Sequence, residues 1–310
     1  MAKIGQAPSS QMTALIVAIF IILTVIGLMN LYSAGELQYF NAQLRHTAIG
    51  VAGFVLLAWV IPIRYVNNLS YPFFFIVLSF LAAVLALGYS AGGAKRWISI
   101  GPINYQPSET MKFAILLLVA KFFYNEKNKK EYSLQDLMPL LGWVSLTFLL
   151  IFKQPDFGTA GICLLIAFLQ LTFIQIRIPM KTLGFLVIAT IGLLVSAWNF
   201  FLHTYQKVRI LTLLNPGHDP MGAGYNSLQS LVAIGSGSFW GKGFKQGTQT
   251  QLQFLPAKHT DFIFSVFSEE NGFLGSCFVF LLFFVLIYAA LAIAKASRDS
   301  FCCLCGVGVA

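Results

Sequence analysis

Recurrent apolar runs of membrane-spanning length constrain this chain more than any other feature. The first, MTALIVAIFIILTVIGLM from Met12, carries no charge. A helix rising about 1.5 Å per residue needs roughly 20 such residues to cross about 30 Å of hydrocarbon. Eight candidate spans fall near residues 12–33, 44–62, 70–90, 108–124, 136–152, 157–175, 181–199 and 272–294. Only 10% of the 310 residues are charged, against about a quarter in soluble proteins. The sequence therefore describes an all-α polytopic membrane protein, with residues 1–310 as one integral membrane domain. The first run lacks a small-residue cleavage site and is followed by further spans, so it reads as a retained span. The one long connection runs from about 201 to 260, between spans seven and eight.

Short loops set the orientation. The link between spans four and five holds Lys121, Lys127, Lys129 and Lys130, the clearest cytoplasmic signature in the chain. Arg64, Arg177, Lys181, Lys295 and Arg298 fall on the same side. Both termini are then expected inside. The outer loops nevertheless carry Lys95, Arg96, Lys153, Lys207, Arg209, Lys242, Lys245 and Lys258. Long loops are exempt from the positive-inside bias, but the shorter outer loops run against it. An anionic ligand at the outer surface would account for them. The formal charge of +9 is scattered over loops, which favours anionic lipid or substrate over nucleic acid.

Four patches converge on that outer face. GGAKRWISIGPINYQPSETMK (92–112) places Arg96 and Trp97 in a loop and opens span four with Pro107, Ser108 and Glu109. Proline followed by an acidic residue suits a helix N-terminus. Glu109 and Lys112 are three apart and share a helix face. KQPDFGTAG (153–161) puts Asp156 where it caps span six. The long loop holds LQSLVAI, which reads as a short amphipathic helix. Its glycines from Gly235 to Gly247 permit close backbone approach to a ligand. Last, HTDFIFSVFSEENGF places Asp261 after His259 and Thr260, at the edge of an apolar segment, with Glu269 and Glu270 about two turns on. An ionised group placed there is a site hypothesis by default. No paired-histidine metal motif or HExxH appears, and no nucleophile accompanies the histidine and aspartate.

Together RWISIG, QPSETMK, QPDFGTA and FLPAKHTDFIFSVFSEENGFLG resemble the RodA/FtsW/SpoVE (SEDS) family over nearly the whole chain. GTQTQLQFLP looks more like the RodA branch than the FtsW branch. The resemblance implies a fold of ten spans and an enzyme, a peptidoglycan glycosyltransferase. It would polymerise lipid II at the outer face of the bacterial cytoplasmic membrane during elongation and shape maintenance. Its implied partners are a class B penicillin-binding protein as transpeptidase and other elongation-machinery membrane proteins, within membrane lipid. The resemblance places the essential acidic residue at Asp261 and substrate contacts at Trp97, Glu109 and Lys112. In the family two further spans follow where this chain ends in SRDSFCCLCGVGVA, so a truncated or frame-altered coding sequence, of uncertain activity, is expected.

The reaction would move a glycan from undecaprenyl pyrophosphate onto the 4-hydroxyl of a second lipid II. It needs a base, positive charge for the pyrophosphate and a groove for polyprenyl tails. Asp261 suits the base, and Arg96, Lys112 and Arg209 are candidates for the pyrophosphate. Asp156, His259 and Glu270 complete the expected substrate-binding set. A divalent cation such as Mg or Mn is compatible with this work, with Asp261 and Glu109 as ligands. Two other classes remain open, a lipid II flippase and a non-catalytic scaffold for a cell-wall synthase. The scarcity of ionisable residues at span centres favours surface chemistry over transport. A scaffold would tolerate Asp261→Asn. Cys163 and Cys277 read as packing residues, and the CCLC cluster (302–305) does not match a zinc pattern.

Overall fold

The computed structural model describes residues 10–35, 37–91, 94–100, 103–125, 129, 131–177, 224–252, 254 and 258–310, with ten isolated positions between 179 and 215. Arg209 and nearly all of span seven lie outside the described residues, as do Lys127, Lys130 and Lys181. The first elements are α1 (Ser10–Ser33), α2 (Leu37–Val55), a π-helical turn (Leu56–Val60) and α3 (Ile63–Leu87). A small sheet follows, β1 (Tyr89–Ala91), β2 (Ala94–Ile100) and β3 (Ile103–Tyr105). Then come α4 (Pro107–Asn125), α5 (Leu134–Lys153), α6 (Phe157–Thr172), α7 (Tyr225–Ser236), α8 (Thr248–Gln251), α9 (Ile263–Ala296) and α10 (Ser300–Val309).

Five of these helices, α1, α2 with its π-turn, α3, α5 and α9, are long and apolar enough to cross a membrane. Five such helices in one chain are the mark of a multi-pass membrane protein. Large side chains along α1, α2 and α9 are exposed, including Phe20, Ile49, Phe54 and Phe284. Outward apolar surface on spanning helices is what lipid requires.

The chain divides into two compact units. One comprises 1–16, 55–179 and 287–310, the other 17–54 and 180–286. The first has a packed core in which Phe74, Leu81, Met111, Ile115, Leu140, Ile151 and Phe301 are buried. Helix α4 supplies the largest share of it. Although expected as a span, it does not reach the apolarity of the five, because Lys112, Lys121 and Glu109 break its hydropathy. Gln170 in α6 donates to the carbonyls of Leu116 and Leu304, both at 3.0 Å, tying α4, α6 and α10 together. Burial pushes the Cys305 thiol in α10 up to about 12, so it packs as a neutral side chain. Cys163 is buried as expected.

Two features depart from the sequence reading. The loop before α4 contains an antiparallel sheet in the order β1-β2-β3, with Tyr89 opposite Trp97 and Ile98 opposite Tyr105. A further helical segment begins at Ile263, ahead of the expected span, and Gly272 (φ 65°, ψ −163°) is the non-helical joint between it and the long apolar helix that follows, so the expected start near 272 falls on that joint. A polar stretch containing two glutamates is thereby helical, which hydropathy alone disfavours.

Candidate functional site

Helix termini place the polar residues of the first unit. Pro107 occupies the first turn of α4, where its missing N–H costs nothing, and Glu109 follows in that turn. Lys112 donates to Glu109 at 2.7 Å, so the two do share a face. They stand at the mouth of an open groove of about 410 Å³ that also involves Phe113, Leu116 and Ile166. Asp156 caps α6, accepting from the Thr159 N–H at 3.4 Å. It also lies 3.9 Å from the Arg96 guanidinium and accepts from Ser108 and Gln106, each at 3.5 Å. Arg96 donates from Nε to the Gln154 carbonyl at 3.1 Å and from Nη2 to the Pro155 carbonyl. The sheet, the turn before α6 and the start of α4 thus meet at one polar knot. Trp97 lies beside Arg96 on β2 and is half-buried.

In the second unit, Asp261 sits in consecutive turns over 258–262 and is exposed. Among the described residues its side chain has no hydrogen-bond or ion-pair partner. The turns are anchored at both ends. Lys258 donates to the Thr250 carbonyl at 3.1 Å, and Asn30 of α1 donates to the Ile263 carbonyl at 2.8 Å. His259 stacks on Tyr39, with ring centroids 3.8 Å apart. His259 and Ile263 line a groove of about 690 Å³ whose other walls are Phe20, Gly27 and Leu31 of α1, His46 and Gly50 of α2, and Phe283 of α9. Its size matches a small-molecule site, and its walls are mostly apolar.

Glu269 and Glu270 are both buried. Glu269 Oε1 accepts from Lys242 Nζ at 2.7 Å and from the Gln249 N–H at 3.1 Å. Thr248 (3.2 Å) and Ser236 (3.3 Å) also donate to Oε1, and Thr250 donates to Oε2 at 3.3 Å. Glu270 Oε1 accepts from Ser33 at 2.5 Å and from the Lys245 N–H at 3.0 Å. Glu270, expected on the substrate side, is therefore engaged by the protein itself, as is its neighbour Glu269. The glycines of the loop have the same partner. A Cβ at Gly237 would lie 2.2 Å from the Ser268 carbonyl oxygen, and one at Gly241 (φ +82°) 2.1 Å from that of Glu270. Their close approach is to α9 and its kink. Helix α7, expected from LQSLVAI, packs here through the hydrogen bond between Ser230 and Ser265 at 2.7 Å.

The structure brings Arg96, Asp156, Gln106 and Ser108 together in one unit, with the Glu109–Lys112 pair on the same unit. It brings His259 to the groove of the other, with Asp261 exposed two residues on in the same turns. Sequence reasoning named Lys242 only as an outer-loop cation, whereas it pairs with Glu269, and it missed Ser33, Ser236, Thr248 and Thr250. The available signal was a pair of glutamates in a largely apolar segment with no cation on their own helix nearby. Among the described residues no three His, Cys, Asp or Glu side chains converge as a metal site.

The family model FTSW_RODA_SPOVE, described as "Cell cycle protein", matches residues 9–310. Peptidoglycan glycosyltransferase MrdB of Escherichia coli K12 is 35% identical over 285 residues, covering 91% of this chain and 76% of its own. Stage V sporulation protein E of Bacillus subtilis 168 is 33% identical over 312 residues, covering 95% and 82%. Among solved structures, a chain from work on structural coordination of polymerization and crosslinking by a peptidoglycan synthase complex superposes with a TM-score of 0.76. It is 26% identical, with 98% of this chain and 83% of that one covered. The Thermus thermophilus rod shape determining protein RodA has the same fold, with a TM-score of 0.63 at 23% identity, covering 98% of this chain and 80% of its own. The chain belongs to the FtsW/RodA/SpoVE family.

Proposed function

We propose that this protein is a peptidoglycan glycosyltransferase that polymerises lipid II at the outer face of the bacterial cytoplasmic membrane, with Asp261 as its general base. The observation that carries the reading is the position of Asp261. It is an exposed carboxylate, unclaimed by other described residues, between two residues that line an apolar groove. Lipid II has that duality, a polar sugar-pyrophosphate head on a long hydrocarbon tail. Burying a tail is worth about 0.8 kcal/mol per CH₂, which supplies the binding that holds the head beside the carboxylate. The likeness to peptidoglycan glycosyltransferases supports the same chemistry.

In the step envisaged, the acceptor 4-hydroxyl attacks the anomeric carbon of the donor. Asp261 takes the hydroxyl proton as the new C–O bond forms. The bond to undecaprenyl pyrophosphate breaks and the pyrophosphate departs with its electron pair. General base catalysis of this kind contributes about 10²–10⁴-fold. Lys112 and Glu109 are exposed enough to contact a head group, and Arg96, Trp97 and Asp156 shape the surface beside α4. Arg209 is proposed as a further pyrophosphate contact on its charge alone. His259, flat against Tyr39 in the groove wall, orients the substrate's apolar–polar junction. A class B penicillin-binding protein is the proposed transpeptidase partner, supported by the likeness to a chain from a peptidoglycan synthase complex.

The test is polymerisation of purified lipid II by the wild type and by Asp261→Asn, with and without a transpeptidase and divalent ions. Glycan strands from the wild type alone are expected. Equal polymerisation by a folded Asp261→Asn protein would remove Asp261 from the chemistry. No strands from folded wild type under any condition would favour transport or scaffolding.

A further inference from the structure

Eight residues beyond Asp261, Glu269 is fully buried yet takes hydrogen bonds from five groups. Four of those donors belong to residues 242–250, and the fifth, Ser236, ends α7. A carboxylate with that many donors is fixed in place, and it fixes each donor in turn. Lys242 donates to Ser236 at 2.9 Å and Thr248 at 2.8 Å as well, so the ammonium ties the segment to itself. Main-chain bonds complete the attachment, from Lys242 N–H to the Glu269 carbonyl and from Phe273 N–H to the Ser238 carbonyl, at 3.0 and 2.9 Å.

One of these donors leads back to Asp261. Thr250 gives its hydroxyl to Glu269 Oε2, and its carbonyl receives Lys258 Nζ at 3.1 Å. Lys258 opens the turns that carry Asp261. The far end of those turns continues into α9, the helix that holds Glu269. The segment 258–262 is thus tied at its start to a residue that the buried carboxylate holds, and at its end it runs into the helix that carries that carboxylate. We infer that Glu269 is a positioning residue for Asp261, acting through Thr250 and Lys258. This rests on the reading of Asp261 as general base for its effect on rate, but not for its effect on the turn.

Removing Glu269 alone would strand the Lys242 ammonium and damage folding for an unrelated reason. The informative variant is Glu269→Gln with Lys242→Met, which removes both charges together. Lys258→Met, which cuts only the last link, is its companion. Hydrogen exchange of the purified full chain reads the turn directly, because local opening is reported amide by amide. In the double variant, amides at 258–262 should exchange about ten-fold faster while those at 273–296 keep their protection. Lys258→Met should reproduce the change at 258–262 without loosening 242–251. On lipid II both variants should lose kcat with KM nearly unchanged. Unchanged exchange at 258–262 in Lys258→Met would overturn the inference even if the double variant failed to fold. Full recovery of kcat in a folded double variant would reduce Glu269 to a neutraliser of Lys242 and overturn it equally. If the wild type made no polymer while the exchange pattern appeared, the glycosyltransferase reading would fail and the strapping of the turn would stand.

Discussion

Asp261 and Glu269 lie within one stretch of chain and are treated in opposite ways. Asp261 is exposed on a turn and, among the described residues, no group satisfies it. Glu269 has no exposed surface and five donors. A buried charge persists only when paired and hydrogen-bonded, so Glu269 is committed to the fold. A carboxylate left to solvent on an anchored turn is free to meet a ligand. Carboxylates of one motif can therefore divide labour, one for chemistry and one for the frame that aims it.

The sharpest way to break that comparison is to neutralise each carboxylate in turn. Asp261→Asn should cut polymerisation by about 10²–10⁴-fold, while leaving thermal stability within about 0.5 kcal/mol. Glu269→Ala should do the reverse first, losing about 3–5 kcal/mol of stability because Lys242 is stranded. Thermal unfolding in detergent reads both. A smaller change tests the frame without touching a charge. Gly241→Ala places a Cβ 2.1 Å from the Glu270 carbonyl oxygen at φ +82°. The left-handed conformation alone costs about 1–2 kcal/mol, and faster exchange in 237–247 should accompany the loss.

The first unit supplies weaker contrasts. Asp156→Ala removes the α6 cap and should cost about 1 kcal/mol, with Arg96 loosened in the same step. Lys112→Met breaks an exposed i,i+3 pair worth about 0.2–0.5 kcal/mol. If Lys112 also meets the pyrophosphate, activity will fall well beyond that stability change. Comparing kcat/KM with the unfolding midpoint separates the two roles.

Much of this was legible in the sequence because its signals are local. The apolar runs behind α1, α3 and α5, the Pro-Ser-Glu start of α4, the Asp156 cap and the Glu109–Lys112 pair each depend on residues a few positions apart. The position of Asp261 followed from the change in hydropathy at Phe262. What stayed hidden depends on distant pairings. Lys242 meets Glu269 and Ser33 meets Glu270 across 27 and 237 residues, and no periodicity announces such contacts. The glycines from Gly235 to Gly247 read as room for a ligand, whereas Gly237 and Gly241 make room for α9. The small sheet was hidden for another reason, since its strands are only three to seven residues long. The helical segment ahead of Gly272 is hidden because its Glu-Glu-Asn stretch is polar, although those groups are satisfied by residues 236–250, by Ser33 and by the helix's own Phe267 carbonyl.

The measurement that tests the central claim most directly is lipid II polymerisation and thermal unfolding recorded on the same preparations of wild type and Asp261→Asn. The account predicts matching unfolding midpoints, glycan strands from the wild type and none from the variant. Strands from both proteins at equal rates, with equal stability, would contradict it.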